Sequence, residues 1–164
     1  MQYPDSFAVS TPSDREIRVT RVFDAPRALV FDAFTKPEFV QRWLLGPPGW
    51  TMPICQINLK VGGAYRYVWR HEEDKREMGM RGVFREIASP ELIVATEEFD
   101  EPWYPGEALD TTTFVEEANL TRITITVQYK SKEARDIAHR SGMEHGIAAS
   151  YDRVEQLLSS MQAQ

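Results

Sequence analysis

The 164-residue chain has little cysteine, no long apolar run and no excess of positive charge. Its single cysteine, Cys55, excludes an internal disulfide framework and fits a reducing compartment. No stretch approaches the roughly 18 consecutive apolar residues of a membrane span. The opening "MQYPDSFAVSTPSDRE" lacks the basic segment and apolar core of a secretory leader, so a cytoplasmic protein is expected. A net charge of −6 works against a nucleic-acid groove, which needs a basic face. No internal repeat or low-complexity segment is present. Strong catalytic motifs are missing too: no G-x-S-x-G, no H-E-x-x-H, no Walker loop and no paired cysteine ligands. None of His71, His139 and His145 has a metal-ligand partner four residues away, so neither a metal nor a cofactor is expected.

What is there reads as one soluble domain. The chain is 42% hydrophobic and 27% charged, ordinary for a globular protein with a sizeable core. Residues 1–14 are rich in Pro, Ser and Asp and predict a flexible N-terminal arm, followed by a single domain over 15–161. In "REIRVTRVF" Ile17, Val19, Arg21 and Phe23 share one face of a strand. Pro26 suits the first position of a helix carrying Leu29, Val30, Ala33 and Phe34. Pro37 opens a second short helix with Phe39, Val40 and Trp43. Six strand-like segments follow, with turns at Gly62-Gly63 and around Glu117-Ala118-Asn119. On them Cys55, Ile57 and Leu59 fall together, as do Tyr65, Tyr67 and Trp69, and Met78, Met80, Gly82 and Phe84. In the last strand Ile123, Ile125, Val127 and Tyr129 point inward. Consecutive short-looped strands are antiparallel, so the fold class is α+β: about seven antiparallel strands, two short helices after the first, and a long C-terminal helix to cover the apolar face.

"SGMEHGIAASYDRVEQLL" holds the one pair that suggests acid–base chemistry, Glu144 and His145. Ser131 is placed to cap a preceding helix over "KEARDIAHR". Ser141 and Glu144 form the S-x-x-E pattern of a capping box, which predicts a new helix start there. At ~100° per residue, Met143, Ile147, Val154, Leu157, Leu158 and Met161 share one arc, with Tyr151 at its edge. His145 falls with Asp152, Gln156 and Ser159 on the wet face, so the projection separates the pair. Gly142, Gly146 and Ala149 form a small stripe suited to close backbone approach.

The remaining candidates lie on the concave face. Trp43, Tyr65, Tyr67, Trp69, Phe84, Phe99, Phe114 and Tyr151 are expected between sheet and helix, with Met80, Met143 and Ile147. These aromatics either fill a core or wall a ligand cavity. Trp50, Trp103 and Tyr104, in the loops "GPPGW" and "EPWYPGE", are expected near its mouth. Strand alternation puts Glu86 on the same face as Phe84. Arg21 and Glu86 either pair in the interior, as a polar anchor for a ligand, or lie at strand ends in solvent. Cys55 is expected to be a buried, inert thiol.

The stretches "RVFDAPRALVFDAFTKPEFVQRW", "GPPGWTMPICQINLKVGGAYRYVWR", "GVFREIASPELIVATEEFD" and "SKEARDIAHRSGMEHGIAASYDRVEQLL" together resemble the Activator-of-Hsp90-ATPase-like family of the START/Bet v 1-like superfamily. The resemblance covers about residues 15 to 160. Two departures stand out: Lys36 before Pro37, where the family often has a capping Asp, and "HEEDKRE", where it often has an Asp-Gly turn. The resemblance implies a helix-grip fold, a curved antiparallel sheet around the C-terminal helix. It also implies a small-molecule binding protein for a lipid- or polyketide-like, apolar or aromatic ligand, with no catalysis required. The alternatives it carries are an Hsp90-type chaperone co-factor and a polyketide cyclase- or hydrolase-like enzyme, for which Glu86 is the candidate acid or base. Either a monomer or a homodimer fits.

Overall fold

The computed structural model describes residues 6–163. Its elements run β1 (Ala8–Ser10), β2 (Glu16–Phe23), α1 (Arg27–Thr35), α2 (Pro37–Trp43), β3 (Trp50–Ile57), β4 (Ala64–His71), β5 (Glu77–Ala88), β6 (Leu92–Phe99), β7 (Ala108–Glu117), β8 (Leu120–Gln128), α3 (Lys132–Arg140) and α4 (Met143–Gln162). The strands form one sheet in the order β1-β2-β8-β7-β6-β5-β4-β3, with every neighbour antiparallel. The expected α+β helix-grip arrangement is present, with eight strands rather than about seven.

The extra strand corrects the expected N-terminal arm. Val9 pairs with Val19, so residues 8–10 add an edge strand, and Ser6 Oγ accepts from Val22 N at 2.9 Å. The N-terminal part of the arm, residues 1–5, lies outside the described residues. Strand β2 alternates as its sequence dictates: Ile17, Val19, Arg21 and Phe23 are all buried.

Between β2 and the far edge strand β3 the chain crosses the sheet through α1 and α2. Pro26 is the N-cap of α1 rather than its first residue, and Lys36 caps α2 with no side-chain bond while Pro37 opens it. Trp43 and Val40 turn inward from α2. Trp43 Nε1 donates to Ala33 O at 2.8 Å, which locks the two helices together and satisfies the indole.

Two bulges bend the outer strands, between Thr51 and Ile54 in β3 and between Phe84 and Glu86 in β5. The second has a direct consequence. It shifts the alternation, so Ile87 turns inward and Glu86 is exposed. Glu86 therefore does not share the face of Phe84, nor does it pair with Arg21. Leu59 is exposed as well, because β3 ends at Ile57 and Leu59 lies in the following turn.

At the C-terminus Ser131 Oγ accepts from Ala134 N at 3.1 Å, the cap its sequence predicts. The capping box does not form. Gly142 takes a left-handed conformation (φ 78°) as the N-cap of α4, which starts at Met143. A residue in that conformation ends α3 and redirects the chain, which is why glycine stands there. Ser141 Oγ donates back to Ala138 O at 2.6 Å, and Oε2 of Glu144 is buried with no hydrogen-bond partner. His145 is exposed, with Asp152, Gln156 and Ser159.

Candidate functional site

Between the concave face of β3–β8 and the first turns of α4 lies a cavity of about 610 Å³. Its walls follow from strand register. Directly paired residues face the same side, so Cys55, Tyr67, Met80 and Phe99 form a row across four strands. A second row runs Ile57, Tyr65, Gly82. Along β4 the rings of Tyr65 and Tyr67 are 5.0 Å apart, those of Tyr67 and Trp69 5.9 Å apart, and Phe84 sits 5.5 Å from Tyr65.

Gly82 makes this face possible. A Cβ there would lie 1.9 Å from Thr96 O and 2.4 Å from the Tyr65 ring. The bare backbone lets Tyr65 lie across β5 and donate its hydroxyl to Thr96 O at 2.5 Å. Burial above all, then the charges of Asp110 and Glu97, push the Tyr65 phenol far above its ordinary range, so it stays a neutral donor.

The opposite wall is α4. Met143, Gly146, Ile147, Ser150 and Tyr151 line the cavity, and Gly146 brings the helix against the loop after α2, where a Cβ would lie 3.3 Å from Pro47 Cδ. That loop is tied down from both sides. Gly46 N donates to Ser150 Oγ at 3.0 Å, and Trp69 Nε1 donates to Leu44 O at 2.7 Å. Trp50 and Trp103 border the cavity as expected from their loops. Tyr104 does not: it is buried, edge-on to Tyr129 at 5.1 Å, and donates to Glu97 Oε2 at 2.6 Å.

The structure brings together Trp43, Tyr65, Tyr67, Trp69, Met80, Phe84, Phe99, Phe114, Met143, Ile147 and Tyr151 around this space and leaves Glu86 outside it. Trp43, Phe114 and Tyr151 form its floor, where they merge with the packed core. Cys55 is half-buried rather than buried; burial and then the Glu38 carboxylate push its thiol up to about 11, which keeps it protonated.

Two polar groups were not anticipated: Glu97 on β6 and Asp110 on β7. Asp110 pairs with Ala95 and Glu97 with Ala108, so the two carboxyls stand diagonally on the same inner face. Both line the cavity. Burial, followed by the adjacent Glu97 carboxyl, holds Asp110 well above the ordinary carboxylate range. The signal was present in the sequence. Glu97 is two residues from the inward Phe99, and Asp110 four from the inward Phe114. Arg21, the other interior charge, is engaged elsewhere: its Nη2 meets Glu155 Oε2 and its Nη1 lies 3.0 Å from Asp152 Oδ1, both on α4.

Among the described residues no helix is long and apolar enough to cross a membrane. No match is found among curated proteins. Solved structures are similar over nearly the full length. A protein from Rhodobacter sphaeroides is 26% identical with a TM-score of 0.89, covering 95% of this chain and 99% of its own. One from Arthrobacter aurescens is 25% identical with a TM-score of 0.80, covering 93% and 91%. An AHSA1-like protein from Aeromonas hydrophila shares the fold at 15% identity, TM-score 0.68, covering 85% and 93%. Residues 24–159, from the end of β2 nearly to the end of α4, match the family described as Activator of Hsp90 ATPase homolog 1-like protein, and the chain belongs to that family.

Proposed function

We propose that this protein binds a small apolar or aromatic molecule between its sheet and α4, as a cytoplasmic monomer or homodimer, without catalysing a reaction. The supporting observation is a space of about 610 Å³ walled by aromatic side chains that are held in place by their neighbours. That volume lies in the roughly 300–1,000 Å³ range of small-molecule sites. A core of the same residues packed to ordinary density would leave no void much larger than a water. Thermal-shift and native mass-spectrometric screens against flavonoids, fatty acids and polyketide-like aromatics test the reading. Stabilisation with a one-to-one adduct is expected, and Ile147→Trp, which fills part of the space, should weaken it. No adduct with any compound would remove the proposal.

The family match favours a second reading, a chaperone co-factor. Its test is whether the purified protein stimulates an Hsp90-type ATPase; no stimulation and no co-purification would exclude it. A cyclase or hydrolase built on Glu86 is dropped, since that side chain is outside the cavity.

A further inference from the structure

The ionisable carboxyl and basic groups of the cavity lining are of one kind. Among the described residues that line it, Glu97 and Asp110 are carboxylic acids, and no Arg, Lys or His contributes. The buried Arg21 guanidinium is held by Asp152 and Glu155 of α4. Oδ1 of Asp110 is buried and has no hydrogen-bond partner among the described residues. Glu97 accepts the Tyr104 hydroxyl at 2.6 Å, and its side chain is hydrogen-bonded to that of Asp110. An unpartnered buried acceptor is costly, and its usual explanation is a group that binds there. Tyr65 and Tyr129 lie close enough for both carboxyls to act on their hydroxyls. Tyr65 is committed to Thr96 O, however, so it offers Asp110 no proton.

Resting on the small-molecule reading above, we propose that the ligand is a protonated amine on an aromatic or apolar frame. The Glu97–Asp110 pair is its anchor. The two carboxyls are hydrogen-bonded side by side, so one ammonium placed there meets acceptor oxygens of both. An ammonium there also meets the faces of the aromatic wall, where Tyr65, Tyr67 and Phe99 surround the row across β4–β6, and gains cation–π attraction. A ligand carboxylate gains neither. It would be desolvated beside a like charge with no cation to meet it. The inference therefore separates amines from fatty acids, although both have apolar frames that fit the space.

The experiment is calorimetric titration at pH 7 with three probes of one skeleton: 2-naphthylmethylamine, 2-naphthylmethanol and 2-naphthoate. The amine should bind about 10-fold or more tighter than the alcohol, and the naphthoate weakest. In the isosteric Glu97→Gln/Asp110→Asn variant, checked for folding by thermal unfolding, the alcohol should bind as before and the amine should lose its advantage. Asp110→Asn alone should narrow the gap. Equal binding of amine and alcohol, preferred binding of naphthoate, or an advantage that survives the double variant would each overturn the anchor while leaving the cavity reading intact. Binding of none of the three would also overturn the anchor, while the cavity reading is decided by the flavonoid, fatty-acid and polyketide screen.

Discussion

The two ends of the space between sheet and helix use the same kinds of residue to opposite effect. At the end closed by α1 and α2, aromatic rings pack against one another on all sides. Phe34 lies 4.7 Å from Trp43 and 5.7 Å from Phe114, and Phe23 lies 5.8 Å from Tyr151. At the other end Tyr65, Tyr67, Trp69 and Phe84 stack along the sheet but face a cavity. The difference lies in what opposes them. The second half of α4 presents Val154, Leu157 and Leu158, all buried. The first half faces the cavity with Met143, Gly146, Ile147 and Ser150, of which Gly146 and Ser150 are small, before Tyr151 closes its floor. Small side chains on one half of a helix leave a space that large ones on the other half fill, while the backbone distance stays set by packing. Aromatic content alone does not distinguish a core from a binding wall; the facing element does.

The ion pair below the closed end should be the costliest feature to break. Arg21→Ala removes the guanidinium that faces the buried Glu155 carboxylate and is expected to cost about 3–5 kcal/mol in urea unfolding. Arg21→Met with Glu155→Met should recover much of that loss, as expected when the cost is the uncompensated charge rather than the missing contact. Phe114→Ala should cost a similar ~3–5 kcal/mol, because its fully buried ring packs on Phe31 and Phe34 behind the cavity floor, against less than ~2 kcal/mol for Tyr67→Ala, whose side chain is less buried. Equal costs would erase the distinction between the two ends.

Asp110→Asn should raise stability at neutral pH. The folded-state pKa of Asp110 is raised above the unfolded value of 3.8, first by burial. Its favourable contribution is therefore present below the unfolded value and is lost as pH rises through the folded one. The stability gap between variant and parent should vanish toward pH 4 and widen toward pH 8 in parallel denaturant titrations. A gap independent of pH would mean that the carboxyl is solvated. Smallest of all, His145→Ala on the wet face should change unfolding free energy by no more than about 0.5 kcal/mol and leave ligand binding alone.

Strand alternation and helical periodicity made most of this architecture legible. The inward faces of β2, β4 and β8, the two short helices, the Ser131 cap and the solvent position of His145 all follow from local rules that neighbours do not override. Glu86 shows where such rules fail. One extra residue in β5 reverses every later side chain, and a bulge has no compulsory sequence signature. The capping box fails for a related reason. Ser141 and Glu144 fit the pattern, yet Gly142 turns left-handed between them and moves the N-cap past Ser141. Strand β1 was hidden because a three-residue edge strand is specified by its partner, not by its own composition.

The apolar periods in this chain were sufficient to dictate an antiparallel sheet closed by a long helix, because burying a continuous apolar face is a local demand repeated along the chain. The partners of the buried charges were a tertiary matter. Arg21 meets Glu155 across 134 residues, and Glu97 comes beside Asp110 only through the register of β6 on β7. Charges have no period to read. Their meaning depends on which opposite or like charge the finished fold sets within a few ångströms of them, in a space from which water has been partly removed.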